Sequence, residues 1–84
     1  MKIYDFEGYA NIVGPRVKEL RRKQKLSQDE LAARLQLRNI GISQKGISRI
    51  EKQERFVADF ELAALADSLN VDVRWLLGKE TTEE

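Results

Sequence analysis

Five residues between positions 44 and 52 carry the most pointed chemistry in the chain: Gln44, Lys45, Ser48, Arg49 and Lys52. If this stretch is helical, with Gln44 set at zero, Ser48 lies at about 40°, Lys52 at about 80°, Lys45 at about 100° and Arg49 at about 140°. Ile50 and Ile47 fall at about 240° and about 300°, on the other side. One arc is therefore a run of long hydrogen-bond donors and a hydroxyl, and the opposite arc is two isoleucines. Such a helix docks on a small core and holds its polar arc outward. A glutamine amide can meet an adenine edge with two hydrogen bonds, and arginine or lysine can meet guanine. An ordinary amphipathic surface helix shows the same division, so this face alone leaves both readings open.

Other chemistry is thinly represented. The chain has 84 residues, with no Cys and no His. Thiolate nucleophiles, imidazole bases, disulfides and the common zinc ligands are thus absent. Carboxylates are plentiful, but none sits in an apolar run that would raise its pKa. There is no Gly-rich phosphate loop and no nucleophile beside a base. The expectation is a protein that is not an enzyme and needs neither cofactor nor metal. No apolar run approaches the ~18 residues of a membrane span. The opening Met-Lys-Ile-Tyr-Asp-Phe-Glu carries acids where a signal peptide carries an apolar stretch. A small soluble cytoplasmic domain without a membrane partner is expected.

Lys and Arg number 15 against 14 Asp and Glu, a net charge of only +1, yet the charges are sorted along the chain. Residues 16 to 55 hold 12 bases and 5 acids, a balance of +7, and the remainder hold 3 bases and 9 acids, a balance of −6. One basic surface is implied, and nucleic acid is its natural partner. Solvated helix faces are the alternative. Arg21, Arg22, Lys23 and Lys25 in particular read as a solvated helix end complementing the dipole.

These residues need elements to hold them. Strand-like alternation is absent and helical spacing recurs, so the chain reads as all-α with five helices. Ser27-Gln28-Asp29-Glu30 is a capping box, with Leu26 and Leu31 as its hydrophobic staple. The same staple spacing recurs as Ile42 and Ile47 around Ser43, and as Val71 and Leu76 around Asp72. Val57 and Leu62 repeat it around Ala58, a poor cap. The first helix starts near residue 12 or 15, capped by Asn11 or by Gly14 with Pro15 at the first position, and runs to Lys25. The second spans Gln28 to about Leu37, the third Gln44 to about Lys52, the fourth about Asp59 to Leu69, and the fifth Val73 to Leu77. Asn39 or Gly41 supplies a left-handed residue between the second and third. Residues 1–11 form an N-terminal arm, whose Tyr4, Phe6 and Tyr9 fold back over the core. Residues 12–78 form the domain, and 79–84 a disordered tail. Trp75, Leu76 and Leu77 belong to the core.

Five strings now matter together: Gly14-Pro-Arg-Val-Lys-Glu-Leu20 with Arg21-Arg22, Leu26-Ser-Gln-Asp-Glu-Leu-Ala32, Ile47-Ser-Arg-Ile-Glu51, Ala66-Asp-Ser-Leu-Asn-Val71 and Trp75-Leu-Leu-Gly78. In this order, over about residues 12 to 78, they resemble the lambda-repressor-like, or xenobiotic-response-element, helix-turn-helix regulators. The resemblance implies a compact five-helix domain whose second and third helices form the DNA-reading unit. Carried over by position, Gln44, Lys45 and Arg49 read bases, with Gly46 and Ser48 beside them. Gln28 touches phosphate at the start of the second helix, where free amides already favour an anion. Arg55, Ser43, Ser48 and Lys52 complete the backbone contacts, and Arg38 joins them from a lengthened turn. That turn is the main departure from the family: extra residues within Gln36 to Ile42 must lengthen the second helix or bulge outward. A second departure is Gly46, which either admits close approach to DNA or is merely tolerated. The implied function is a sequence-specific double-stranded DNA-binding transcriptional regulator, a repressor acting as a homodimer. The alternative on the same fold is a helical interaction module or antitoxin-like adaptor without specific DNA reading.

Overall fold

The computed structural model describes residues 5–79. Five helices account for its regular structure: α1 (Gly14–Lys23), α2 (Gln28–Gln36), α3 (Gln44–Glu51), α4 (Asp59–Ser68) and α5 (Val73–Leu76). Their starts follow local chemistry. The Asn11 side-chain oxygen accepts from the Gly14 amide at 2.8 Å, and Pro15 sits in the first turn of α1. Asn11 is thus the acceptor, although the helix proper begins at Gly14. The Ser27 hydroxyl accepts from the Glu30 amide at 3.0 Å, while Glu30 accepts from the Ser27 amide at 2.7 Å. Ser43 accepts from Gly46 at 3.1 Å, and Asp72 from Arg74 at 2.8 Å. Ala58 has no side-chain acceptor, but Glu61 still accepts from its amide at 3.0 Å, which is half of a capping box. Each side-chain cap contributes about 1 kcal/mol.

All five helices also stop in the same way. The amides of Leu26, Ile40, Glu54, Val71 and Lys79 return to the carbonyls of Arg21, Leu35, Arg49, Ala66 and Arg74 at 2.7 to 3.0 Å. The residues just before them, Lys25, Asn39, Gln53, Asn70 and Gly78, have φ of 58°, 63°, 62°, 55° and 76°. This is the Schellman ending, in which one left-handed residue turns the chain and satisfies the last carbonyls. It explains why α1 stops two residues short of Lys25. It also identifies Asn39, not Gly41, as the left-handed residue between α2 and α3. The lengthened turn does not extend α2. It leaves as a loop over residues 37–43, with Leu37 84% exposed and Ile42 buried.

The core collects Val17 from α1, Leu31 and Leu35 from α2, Ile47 and Ile50 from α3, Leu65 from α4 with Leu69 just past its end, and Leu76 from α5, all fully buried. Each such side chain contributes about 1.5–3 kcal/mol. Leu20, Ala32 and Leu62 are only partly buried against this cluster. α3 packs on both α1 and α2, and α4 packs on α2 and α5.

Two expectations fail here. Trp75 and Leu77 only border the core, which Leu76 alone enters. The Trp75 ring is capped by Arg16, whose guanidinium carbon lies 4.7 Å from the ring centroid, and Arg16 also donates to the Trp75 carbonyl at 2.9 Å. Stacking on a cation gives the ring an outer cover that apolar packing does not supply. The arm folds back but does not cover the core with its rings. Phe6 and Tyr9 pair their backbones across a turn at Glu7-Gly8, yet Phe6 stays 60% exposed and Tyr9 is exposed as well. What ties the arm down is polar: Ala10 donates to the Gln53 carbonyl at 3.0 Å, and the Gln53 side chain donates to the Asn11 carbonyl at 3.0 Å. Tyr4 and residues 80–84 of the tail lie outside the described residues. Among those described, no helix is long and apolar enough to cross a membrane, and no acidic or thiol cluster could hold a metal.

Candidate nucleic-acid interface

α3 is held by its apolar side. Ile47 and Ile50 are fully buried between α1 and α2, so the opposite arc must face solvent. Gln44, Lys45, Arg49 and Lys52 are exposed and Ser48 is half-buried. No acidic side chain interrupts this arc. Ser43 is also exposed, but its oxygen is already engaged in capping. Arg38 is exposed on the loop, with only a long 3.4 Å contact to the Arg34 carbonyl.

Both ends of the helix are positioned by neighbours. At the C-terminal end, Asn11 donates to the carbonyls of Ile50 and Arg55 at 3.1 and 2.8 Å. Gly14 makes this approach possible, since a Cβ there would overlap the Ile50 carbonyl oxygen. At the N-terminal end, Gly46 has an internal reason. A Cβ on it would come within 2.8 Å of an Ile42 methyl, so the glycine lets the loop lie against α3. The sequence pattern left this residue between two other readings, and packing within the chain is what explains it.

The flank of α3 carries a chain of polar contacts. Gln44 donates through Nε2 to the Gln28 Oε1 at 2.5 Å. Gln28 donates through its own Nε2 to Glu51 Oε1 at 3.0 Å. Arg21 closes the chain with Nε to Glu51 Oε2 at 2.6 Å and Nη2 to Oε1 at 3.1 Å, and its Nη1 donates to the Leu26 carbonyl at 2.7 Å. The pair is buried, with the Arg21 side chain 12% and that of Glu51 3% exposed. Arg21 is therefore not part of a solvated helix end, although Arg22, Lys23 and Lys25 are exposed as expected. A signal was present: Arg21 stands four residues after Val17, and Glu51 four after Ile47, each on a buried stripe at helical spacing. Opposite charges placed on two apolar stripes point to each other.

A second pair lies further out. Arg55 donates to both carboxylate oxygens of Glu61 at 2.9 and 3.1 Å, and to the Phe56 carbonyl at 2.8 Å. Those hydrogen bonds hold the Glu61 carboxyl below its ordinary pKa and raise that of Arg55. Arg55 thus braces the turn into α4, and its guanidinium is already engaged where a backbone contact is expected of it.

The helix-turn-helix family model matches residues 17–76, from within α1 to the last residue of α5. Two solved structures align over most of the chain. The P22 c2 repressor protein, crystallised in complex with a synthetic operator, is 26% identical with a TM-score of 0.69, over 83% of this chain and 98% of that one. The restriction-modification controller protein C.AhdI from Aeromonas hydrophila is 27% identical with a TM-score of 0.70, over 84% of this chain and 99% of that one. No curated protein matches in sequence.

Proposed function

The chain belongs to the helix-turn-helix family, and from that premise we infer a sequence-specific, double-stranded DNA-binding transcriptional regulator that acts as a repressor. One observation carries the reading. α3 buries Ile47 and Ile50 and leaves Gln44, Lys45 and Arg49 exposed on an arc free of acids. An interaction module or adaptor on this fold would need no such arc.

In this reading α3 enters the major groove, with Gln44, Lys45 and Arg49 meeting base edges. Gln28, at the start of α2, meets a phosphate together with the free amides there. Ser43, Ser48, Lys52 and Arg38 add backbone contacts that position the domain without reading sequence. Arg55 joins them only by sharing the guanidinium that Glu61 holds. The role involves no catalysis, cofactor or metal, and a cytoplasmic location fits it. A homodimer on a two-fold related site is the natural assembly. Phe6, Ile12 and Phe56, exposed around an apolar hollow of about 320 Å³ that Leu62 and Leu77 also line, offer surface for the second copy.

Selection of binding sites from random duplex DNA tests the reading. A defined, two-fold related site should emerge. Its affinity should fall with salt at a logarithmic slope of about −0.9 per phosphate neutralised. No enriched sequence, with binding flat in salt, would sink the proposal.

A further inference from the structure

We propose that Glu61 is a positioning residue for the DNA backbone. It holds Arg55 by one edge of the guanidinium and so presents the other edge as a two-pronged phosphate clamp beside α3. The inference rests on the DNA-binding role given above.

A guanidinium carries five N–H groups in a rigid plane. Arg55 commits three of them. Nη1 donates to the Phe56 carbonyl at 2.8 Å and to Glu61 Oε1 at 2.9 Å, and Nη2 donates to Glu61 Oε2 at 3.1 Å. The remaining two, Nε–H and the second Nη2–H, lie parallel on one edge of the plane. Neither has a partner among the described residues. Two parallel donors on a planar cation are the fork that meets two oxygens of a phosphate.

The hold on this fork is firm. Glu61 also accepts from the Ala58 amide at 3.0 Å, which seats its carboxylate on the first turn of α4. Its side chain is 14% exposed, while that of Arg55 keeps 30% and remains within reach of solvent. A Cβ at Gly46 would stand 3.8 Å from the Arg55 Nε, so the Nε end of the open edge lies against the first turn of α3. Gly46 falls at about 200° from Gln44, next to Arg49 at about 140°. The fork therefore borders the exposed arc, where sugar–phosphate backbone flanks a helix seated in the groove.

Ordering a free arginine as DNA binds costs affinity, and a side chain already held avoids that cost. Charge alone argues the reverse: a carboxylate repels phosphates, so removing it would strengthen binding. The sign of the Glu61 effect separates the two.

The test is affinity for duplex DNA of the selected site and of random sequence, over a range of salt, with melting curves throughout. It compares the wild type, Glu61→Gln, Arg55→Ala, Arg55→Ala/Glu61→Gln and Arg55→Lys. In Glu61→Gln the side-chain oxygen can still accept from the Ala58 amide, but the new amide nitrogen meets an Arg55 donor, so one prong of the hold is lost. Arg55→Ala should weaken binding to both DNAs alike by about tenfold and reduce the logarithmic salt slope by about 0.9, one phosphate. Glu61→Gln should weaken both by about threefold although it sheds a negative charge. Once Arg55 is alanine, Glu61→Gln should cause no further loss. Binding by Glu61→Gln as tight as wild type or tighter overturns the inference. So does a similar loss in the Arg55→Ala background, or an Arg55→Ala variant that binds like wild type. Should Glu61→Gln be unfolded at the assay temperature, Arg55→Lys decides, because it keeps the charge without the second edge. Affinity closer to Arg55→Ala supports the clamp, and affinity closer to wild type overturns it. A wild type that binds no duplex sinks the DNA-binding proposal itself, and this inference with it.

Discussion

Two arginine–glutamate pairs brace α3, and they differ mainly in depth. Arg21–Glu51 ties α1 to the last residue of α3, with side chains 12% and 3% exposed. Arg55–Glu61 ties the following turn to α4, with side chains 30% and 14% exposed. Both are two-pronged at similar distances. The outer pair closes a turn and goes no further. The inner pair continues through Gln28 to Gln44, the first residue of the exposed arc. Depth changes what the same chemistry can do. A buried carboxylate must have every contact satisfied, so it dictates the orientation of whatever amide it meets, whereas a partly solvated one can turn to water.

Breaking each pair from one side gives the sharpest contrast. Glu51→Ala should cost about 3–5 kcal/mol, because it strands a buried guanidinium; denaturant unfolding reads this directly. A loss under 1 kcal/mol would erase the distinction between the pairs. Arg49→Ala belongs to neither pair and separates reading from bracing. It should weaken binding to the best site by about 1–3 kcal/mol and relax one base position per half-site, with the melting temperature unchanged. A uniform loss over all sequences would move Arg49 to the phosphate contacts.

Smaller effects belong to the outer pair. Arg55→Ala should cost about 1 kcal/mol or less, since water screens what it loses. The pH dependence follows from the lowered Glu61 carboxyl. A lowered carboxyl stabilises the fold above its ordinary pKa, and that contribution fades as pH falls through the folded-state value. The stability advantage of wild type over Glu61→Gln should therefore be full near neutral pH and narrow below about pH 4. Denaturant midpoints across that range measure it, and a gap that is constant or widens in acid would assign Glu61 a different role.

Much of this molecule could be read from local chemistry. Ser27, Ser43 and Asp72 start helices where their spacing to Leu31, Ile47 and Leu76 said they would, because a cap and a staple are decided within six residues. The exposed arc of α3 was legible for the same reason: Ile47 and Ile50 determine which side is buried. The pair between Arg21 and Glu51 was not foreseen, because 30 residues separate the two and only tertiary packing brings them together. The link between Gln28 and Gln44 spans 16 residues and escaped for the same cause. Gly46 was opaque for a subtler reason: its constraint is a methyl of Ile42, and nothing in a sequence reveals how a lengthened turn lies. Trp75 misled because a large ring next to two leucines reads as core, while Arg16, the residue that covers it, is 59 positions away.

The uniform helix endings carry a consequence for kinetics. Four of the five helices have a side chain that accepts at the start, the fourth a returning carboxylate instead, and all five close their last turn on their own backbone. Each segment is therefore biased locally toward its own helix limits, and packing on the shared core completes it. The search is then the docking of locally biased segments around Ile47 and Leu65. Chains dominated by such short-range contacts fold within about microseconds to milliseconds. A regulator built this way would reach its monomer fold soon after synthesis.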